Sequence, residues 1–289
     1  MLTVIIPSFH SEKLIKERIL EINNKFKIII IENSRNYQLK KELELKYNNI
    51  EVIIPETNLG WGKAANLGIR NSKTNYIFLT QPDVKIIDNC LEKLIVLVKK
   101  FSDFTIITPF DIGNLNYVNY EVYKNYKENK KIKKLFLQEV DFVDLTWLIN
   151  KKNFDDKDLW DENIFLYFEA MDFAKRLKNR NKKIFVAKNI NTFHYGSSSH
   201  DSTLNHYALL TRGWHYNWSR FYFFKKHFGT YFALKKNLNI FFKILKKIIF
   251  STIFFKKQDL AYSIAELKGL INSIFNKPSN YRPYKKINN

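Results

Sequence analysis

Cysteine and acidic residues are both scarce in this sequence of 289 residues. The one cysteine, Cys90, cannot form an intramolecular disulfide, and a chain without disulfides fits a reducing compartment. The 28 acidic residues are outnumbered by 48 lysines and arginines, so the net charge is +20. An excess of this size predicts an anionic partner: acidic lipid head groups, nucleic acid or a phosphorylated small molecule.

Long hydrophobic runs are absent as well. The longest nearly apolar run, 248–255, is far shorter than the roughly 20 residues that a transmembrane helix needs. The N-terminus, from Met1 to Pro7, lacks the basic region that opens a signal peptide, so we expect a cytoplasmic protein. Apolar residues still make up 45% of the sequence, which suffices for one catalytic domain with a smaller appendage.

Short apolar stretches alternate with longer helix-like stretches along the first half of the chain. The predicted strands are 2–6, 27–31, 51–54, the run bounded by Asn75 and Pro82, and 105–108, with later strand-like stretches at 138–149 and 183–187. The predicted helices between them are 12–24, 37–47 and 88–100. This alternation predicts an α/β fold in which a mostly parallel central sheet has helices on its faces.

Two of these strands end in a polar corner that carries a carboxylate. The apolar run that starts after Asn75 stops at the corner Gln81-Pro82-Asp83, and the strand at 27–31 runs into Glu32 and Ser34. Ligands of open α/β sheets collect at the carboxyl ends of the strands, so Asp83 is well placed to hold a metal or a sugar phosphate. An ordinary turn aspartate after a proline is the alternative.

A glycine-containing corner precedes a helix-competent run in the segment 56–69. Gly60, Gly62 and Lys63 would bring backbone N–H groups and one cation near a diphosphate. The spacing matches neither a Walker loop nor the dinucleotide-binding fingerprint. A plain turn is the alternative for this pattern.

Glu169 and Asp172 are three residues apart and follow the aromatic stretch 165–168. On a helix they share one face, and the preceding aromatic residues would place them in a site that partly excludes water. Burial raises the pKa of a carboxylate and makes it a better base. The alternative is a helix start with acidic residues near its positive end.

Three other stretches have simpler interpretations. His194 follows the strand at 183–187 within a predicted polar loop, a setting suited to a ligand. The acidic stretch 155–158 reads as a solvated turn, and the poorly periodic stretch 114–134 as an excursion near the acceptor.

Together these segments resemble family 2 glycosyltransferases, in particular the rhamnosyltransferase-like branch that decorates bacterial surface polysaccharides. The resemblance extends over roughly 2–227 and is carried by several motifs in order: 3–9, 31–34, 58–68, 81–83 and His194. It implies the type A, nucleotide-diphospho-sugar transferase fold and inversion at the anomeric carbon.

The resemblance also implies roles for individual residues. Asp83 and His194 would hold a divalent cation, Mg²⁺ or Mn²⁺. Nucleotide-sugar binding would fall to ten residues: Pro7, Ser8, Glu32, Ser34, Asn58, Gly60, Trp61, Lys63, Asn66 and Gln81.

The chain departs from the family pattern at two positions. The family commonly has its catalytic base where this chain has Ala170, so Glu169 or Asp172 would take over that role, and we favour Glu169. Gln81 replaces the first acid of the metal motif, which leaves one protein carboxylate in a magnesium shell that substrate phosphates can complete.

The region 205–289 is basic and rich in aromatic residues. It contains sixteen lysines and arginines but only Asp259 and Glu266 as acids. Such a composition predicts helices that lie on an anionic membrane surface. A cap on the catalytic domain or a homodimer contact is the alternative, and nucleic acid is disfavoured because no RNA-binding signature appears.

The sequence therefore predicts a catalytic domain over 1–204 and a basic helical extension over 205–289. The expected function is transfer of a sugar, with rhamnose suggested by resemblance only, from a nucleotide-sugar donor to a surface polysaccharide or lipid-linked glycan. The expected location is the inner face of the cytoplasmic membrane. A catalytically weakened module that binds nucleotide sugar or glycan is the alternative.

Overall fold

The computed structural model describes residues 2–22, 24–113, 120–121, 136–144, 146–196 and 205–283. The predicted excursion at 114–134 lies outside these residues, apart from 120–121. The chain divides into two compact units. The first, here called the sheet unit, comprises Met1–Trp160 and Phe173–Asp201; the second, the helical unit, comprises Asp161–Asp172 and Ser202–Asn289. The predicted boundary at 204 differs from this division by assigning 161–172 and 202–204 to the catalytic domain.

The sheet unit contains the strands of the structure. Their bounds are β1 Leu2–Ser8, β2 Lys27–Glu32, β3 Ile50–Ile53, β4 Tyr76–Leu79, β5 Val84–Ile86, β6 Ile106–Asp111, β7 Tyr120–Glu121, β8 Leu137–Glu139, β9 Phe142–Val143, β10 Trp147–Asn150 and β11 Ile184–His194. Nine strands form one sheet in the order β3-β2-β1-β4-β10-β6-β11-β5, with β8 also paired to β11, while β7 and β9 pair separately.

Most strands of the nine-stranded sheet run in one direction. The strands β3, β2, β1 and β4 are joined by parallel pairings. Because β10 is antiparallel to both β4 and β6, β6 runs with β4, and β11 is parallel to β6. Six of the nine strands are therefore co-directional, and β5, β8 and β10 oppose them. The predicted α/β fold with a mostly parallel sheet is confirmed.

Helices alternate with the parallel strands of the sheet unit. Their bounds are α1 Glu12–Glu21, α2 Tyr37–Lys46, α3 Trp61–Asn71, α4 Cys90–Lys100 and α5 Glu169–Asn179. The Asn36 side chain caps α2 by accepting the Leu39 N–H at 2.8 Å. Aliphatic residues of β1 and β2 are fully buried in the core, and burial raises the pKa of the enclosed Cys90 thiol. That thiol therefore behaves as a core side chain.

The prediction of a solvated acidic turn at 155–158 is wrong for Asp158. Its carboxylate is fully buried and accepts hydrogen bonds from Arg180 and from the backbone N–H of Asp155, the latter at 2.9 Å. Lys182 lies 3.2 Å away as a second cation. Asp158 is thus the buried member of an ion-pair cluster whose cations come from a distant part of the chain, whereas 155–157 are exposed.

Three long helices form the bulk of the helical unit. Their bounds are α6 Asn205–Phe228, α7 Thr230–Ile253 and α8 Lys257–Ile274. Gly229 joins α6 to α7 with a φ of 87°, a left-handed conformation that glycine adopts without strain. Buried side chains at the helix contacts include Trp214, Trp218 and Phe221. Among the described helices, none is both long and apolar enough to span a membrane.

Residues after α8 fold back onto α6 and are held there by a buried histidine. His215 donates from Nε2 to the carbonyl oxygen of Tyr281 at 2.9 Å, and its Nδ1 lies 3.0 Å from the Ser279 hydroxyl. Burial lowers the pKa of His215 to about 3, and the nearby Arg282 guanidinium acts in the same direction. His215 is therefore neutral in the folded protein.

Helix α3 packs so closely on the sheet that its Gly68 has no room for a side chain. A Cβ at Gly68 would overlap with Cγ2 of Ile5 on β1. We predict that Gly68→Ala lowers the free energy of unfolding by about 1–3 kcal/mol, the usual range for overpacking. Urea unfolding measures this. Asn71→Ala, an exposed change on the same helix, should shift stability by no more than about 0.5 kcal/mol. Equal effects of both changes would contradict the close approach.

The neutral state of His215 predicts that stability falls with acidification. The unfolded chain takes up a proton near the ordinary pKa of 6.5, whereas the folded chain does so only near 3. Stability is therefore full above about pH 6.5 and should fall by up to about 1.4 kcal/mol per pH unit below it. Urea unfolding of the wild type and of His215→Gln between pH 7.5 and 4.5 measures this contribution, with His206→Gln, an exposed change on the same helix, as control. An unchanged pH dependence in His215→Gln would contradict the assignment.

Candidate functional site

The corners after β1 and β2 meet at the carboxyl edge of the parallel strands, where they interlock through Glu32. This buried carboxylate accepts from the Ser8 hydroxyl at 2.9 Å and from the Ser34 N–H at 2.7 Å. The Ser34 hydroxyl donates to it as well. Pro7 lies beside Ile31 in the same strand pair. Four of the predicted nucleotide-sugar residues therefore form one connected group.

The corner before α3 lies against this group. The Asn33 side chain accepts the Leu59 N–H at 3.1 Å, and the Asn58 side chain accepts the Gly60 N–H at 2.9 Å. Gly60 has a φ of 76°, so the corner favours glycine there. Helix α3 begins at the next residue, Trp61, and presents Lys63 to solvent in its first turn.

Two predicted binding residues on α3 are engaged within the protein. The buried Asn66 side-chain amide donates a hydrogen bond to the backbone carbonyl oxygen of Trp160 and accepts one from the backbone N–H of Trp160, both at 2.9 Å. The Trp61 ring lies 4.9 Å from Trp147 and 5.4 Å from Trp160, centroid to centroid. Trp147 and Trp160 were not predicted for this part of the molecule, because their partners lie far away in sequence.

Asp83 and His194 are brought together by strand pairing. Val84 on β5 is the register partner of His194 on β11, which places Asp83 beside the histidine. The Asp83 Oδ2 lies 3.3 Å from His194 Nε2, and the Asp83 carbonyl oxygen accepts the Tyr195 N–H at 3.1 Å. Gln81 precedes this pair in the same corner. His194 is the last residue of a strand and does not lie in the loop that the sequence predicted.

Asp111 is a further acidic residue near His194 that the sequence analysis missed. Its Oδ1 accepts the backbone N–H groups of His194 at 2.9 Å and Gly113 at 3.0 Å. Its Oδ2 is buried and has no hydrogen-bond partner among the described residues. Asp111 ends β6, so the carboxyl-end rule that singled out Asp83 would also have identified it.

The electrostatic field of this corner favours a cation. Burial opposes protonation of His194, but the carboxylates of Asp83, Asp111 and Asp144 outweigh burial and raise the pKa of the imidazole. The same carboxylates would attract a metal ion. The corner is therefore negatively charged within a strongly basic protein.

A divalent cation fits the Asp83–His194 pair only with additional ligands. The buried Asp83 Oδ1 has no hydrogen-bond partner among the described residues, so one carboxylate oxygen is available to a cation. Within the described ranges, no three histidine, cysteine or acidic residues are grouped so that they could hold a metal. Oxygen and imidazole donors suit Mg²⁺ or Mn²⁺, and the rest of the shell would have to come from water or a bound phosphate.

The two remaining predicted residues, Glu169 and Asp172, begin α5 and belong to the helical unit. Tyr167 and Phe168 precede Glu169 with φ angles of 65° and 63°. Left-handed backbone in two consecutive aromatic residues costs roughly 1–3 kcal/mol per residue, so the surrounding contacts must hold it in place. The corner sets the direction in which α5 begins and hence the position of Glu169.

Contacts from α6 stabilise this corner. The Tyr216 ring lies 5.8 Å from Tyr167 and 5.4 Å from Phe168, centroid to centroid. The Ser219 hydroxyl donates to the carbonyl oxygen of Leu166 at 2.7 Å. These contacts come from successive turns of one helix face, so α6 acts as the template for the segment that carries Glu169.

Asp172 is the ionic anchor of the same segment. Its fully buried carboxylate oxygen Oδ1 lies 2.6 Å from Lys226 Nζ and 2.8 Å from His227 Nε2, both near the end of α6. Lys226 also contacts Asp161 Oδ2 at 2.7 Å, and Tyr222 donates to that oxygen at 2.9 Å. Asp161 and Asp172, the two ends of the segment, are thus tied to one helix.

Comparison with known proteins identifies the family. The family model described as glycosyl transferase family 2 matches residues 3–158, more than half of the chain. No curated protein sequence was found to match.

Solved structures with low sequence identity share the fold. GalNAc-T7 with UDP, GalNAc and Mn²⁺ superposes with a TM-score of 0.56 and 14% identity, over 78% of this chain and 49% of its own. The mannosyltransferase PcManGT from Pyrobaculum calidifontis, in complex with GDP-Man and Mn²⁺, has a TM-score of 0.56 and 9% identity, over 96% of this chain and 87% of its own. S. aureus TarS 1–349 has a TM-score of 0.51 and 15% identity, over 73% of this chain and 64% of its own.

The chain spans about half the length of the GalNAc-T7 structure and less than two thirds of the TarS structure. These similarities concern the fold, which has a central sheet with flanking helices. The chain belongs to glycosyl transferase family 2 and has the type A glycosyltransferase fold, as its sequence motifs predict.

Proposed function

We propose that this glycosyltransferase moves a sugar from a nucleotide-sugar donor to a surface polysaccharide or lipid-linked glycan. Family membership supports the reaction class. The observation that carries the proposal is the Asp83–His194 pair at the carboxyl edge of the sheet, beside the corners that contain the predicted nucleotide-sugar residues. Structures that share the fold contain UDP or GDP-Man together with Mn²⁺, which supports the same donor class.

The proposed donor site uses the corners around Glu32 and Gly60. The hydrogen bonds among Ser8, Glu32 and Ser34 fix these corners before a ligand arrives, which reduces the ordering cost of binding. Lys63 is exposed in the first turn of α3 and supplies a cation for the diphosphate. The backbone N–H groups of that turn favour an anion as well.

Asp83 and His194 are the proposed holders of Mg²⁺ or Mn²⁺. When bound, such a cation stabilises the negative charge that develops on the departing nucleoside diphosphate. Asp111 fixes the backbone of His194 through a hydrogen bond and so positions the imidazole. The diphosphate would complete the cation's ligand shell, because the protein contributes few ligands.

Glu169 is the proposed general base, which takes the proton from the acceptor hydroxyl. It is partly exposed at the first residue of α5, whereas the Asp172 carboxylate is fully buried against Lys226 and His227. The Asp172 carboxylate therefore holds the segment against α6. Glu169 is the more exposed of the two carboxylates and adjoins Ala170, which stands where the family commonly has its base, so Glu169 is the better candidate. Direct attack by the activated hydroxyl would invert the anomeric carbon.

Several finer features of the proposal rest on resemblance or composition. Rhamnose as the transferred sugar follows only from the resemblance to the rhamnosyltransferase-like branch. A peripheral position at the inner face of the cytoplasmic membrane follows from the basic region 205–289. A homodimer contact is the alternative use of that region.

A second candidate function is a weakened relative that binds nucleotide sugar or glycan without turnover. Ala170 at the usual base position and Gln81 in the metal motif favour it. This alternative predicts donor binding without release of nucleoside diphosphate. Steady-state release assays therefore distinguish the two functions.

We predict that Asp83→Asn removes the Mn²⁺-dependent part of nucleotide-sugar binding, because it replaces a charged ligand by a neutral one of the same shape. Isothermal titration with UDP-glucose, GDP-mannose and dTDP-rhamnose, each with and without Mn²⁺, measures the effect. The Kd of the binding donor should rise by about tenfold or more. Asp88→Asn, an exposed change in the same stretch, should bind like the wild type. Unchanged Mn²⁺ dependence in Asp83→Asn would exclude Asp83 as a ligand.

We predict that Glu169→Gln lowers kcat by about 10² or more while donor affinity stays within twofold, since general bases typically contribute 10²–10⁴. Release of nucleoside diphosphate in the presence of acceptor measures kcat. Glu162→Gln, an exposed change in the same segment, serves as the matched control and should retain full activity. If Asp172→Asn lost activity at unchanged stability while Glu169→Gln kept it, the base would be Asp172.

A further inference from the structure

Helix α7 exposes a continuous apolar stripe along its length. The exposed members recur three or four residues apart over the first half of the helix and again near its end, and their exposed fractions range from 46% to 81%. They are Tyr231, Leu234, Leu238, Phe242, Ile249 and Ile253. The partly exposed Leu245 fills the gap between Phe242 and Ile249. Residues at this spacing share one helix face.

The stripe is distinct from the face that packs inside the helical unit. Ala233, Asn237, Ile244 and Ser251 are the buried residues of α7, and they follow the same spacing on another side of the helix. The stripe runs from Tyr231 to Ile253 within this helix and therefore extends for roughly 33 Å. Phe254 and Phe255 continue the exposed apolar surface beyond the helix end. A patch of this length is large for a solvent-facing surface and marks a contact site.

Lysines border the stripe, and α7 itself carries no acidic residue. Helix α7 contains five lysines and no aspartate or glutamate: Lys235, Lys236, Lys243, Lys246 and Lys247. Lys247 pairs with Glu266 of α8 at 3.0 Å, and Lys256 and Lys257 follow the helix. The partner of this surface must therefore be apolar at its centre and negatively charged at its edge.

These features distinguish an anionic lipid surface from a second copy of the chain. Two copies that met through α7 would bring two rows of lysines together, and this helix has no carboxylate to compensate them. A bilayer with acidic head groups offers acyl chains to the stripe and negative charge to the lysines at the same time. The helix is unsuited to crossing the bilayer, so it would lie in the plane of the interface.

We propose that α7 is an in-plane membrane anchor whose stripe, from Tyr231 to Ile253, inserts among the acyl chains of an anionic bilayer while its lysines contact the head groups. The proposal narrows the membrane role of the whole basic region to one helix face. It is independent of the transfer reaction, because binding to lipid is measured without donor or acceptor.

The first test is flotation of the full chain with vesicles. The wild type should float with vesicles of 30% phosphatidylglycerol and 70% phosphatidylcholine, and binding to pure phosphatidylcholine should be at least tenfold weaker. Raising the salt concentration should weaken binding, because part of the attraction is electrostatic. Failure to bind phosphatidylglycerol vesicles, or equal binding to both kinds of vesicle, would overturn the proposal.

Matched variants distinguish the contribution of the stripe to vesicle binding from that of other exposed apolar residues. Leu238→Glu/Phe242→Glu should reduce binding to phosphatidylglycerol vesicles at least tenfold. Leu20→Glu/Leu45→Glu makes the same change of charge at two exposed leucines of the sheet unit and should reduce binding less than threefold. Circular dichroism and thermal unfolding verify that both variants remain folded. Equal losses in both pairs would show that net charge and not the stripe controls binding, against the proposal.

The oligomeric state provides an independent check on the occupant of the stripe. Light scattering of the wild type without lipid should give the mass of a monomer, or of an oligomer that Leu238→Glu/Phe242→Glu leaves intact. A dimer that this variant dissociates would identify a second copy as the occupant and overturn the membrane assignment.

Discussion

The contact between the buried Asp172 carboxylate and the end of α6 is the interaction on which the proposed catalytic segment depends. Lys226 and His227 reach the same carboxylate oxygen, at 2.6 Å and 2.8 Å. Lys226 also contacts Asp161, so both ends of 161–172 are tied to one helix turn. Breaking a buried pair of this kind usually costs 3–5 kcal/mol. The left-handed corner just before Glu169 can persist only while these contacts hold.

The proposed donor site depends on a different constraint, the alignment of strand ends. Parallel pairing places the corners after β1, β2 and β4 at one edge of the sheet. The antiparallel pairing of β5 with β11 then brings His194 to Asp83. In the proposed function, leaving-group stabilisation falls to residues of the sheet unit and proton removal to Glu169 of the helical unit.

Sequence periodicity predicted the parallel strands, their helices and the acidic corners because these features are local. Features that depend on contacts with residues distant in the sequence could not be predicted from such local patterns. Asp158 looked solvated because its cations follow more than twenty residues later. The left-handed Tyr167 and Phe168 carry no sequence signal, since aromatic residues rarely adopt this conformation. Asp111 was missed for another reason: its strand was predicted to end at 108, three residues too early.

Release of nucleoside diphosphate from a panel of nucleotide sugars is the measurement that tests the central claim most directly. The wild-type chain would be incubated with UDP-, GDP- and dTDP-sugars, with Mn²⁺ or with EDTA. The account predicts slow release from one donor, abolished by EDTA and restored by excess Mn²⁺. Release that persists undiminished in EDTA would contradict the role of the Asp83–His194 pair. Tight binding of one donor without any release, even with acceptor glycans added, would identify a binding module instead of a transferase.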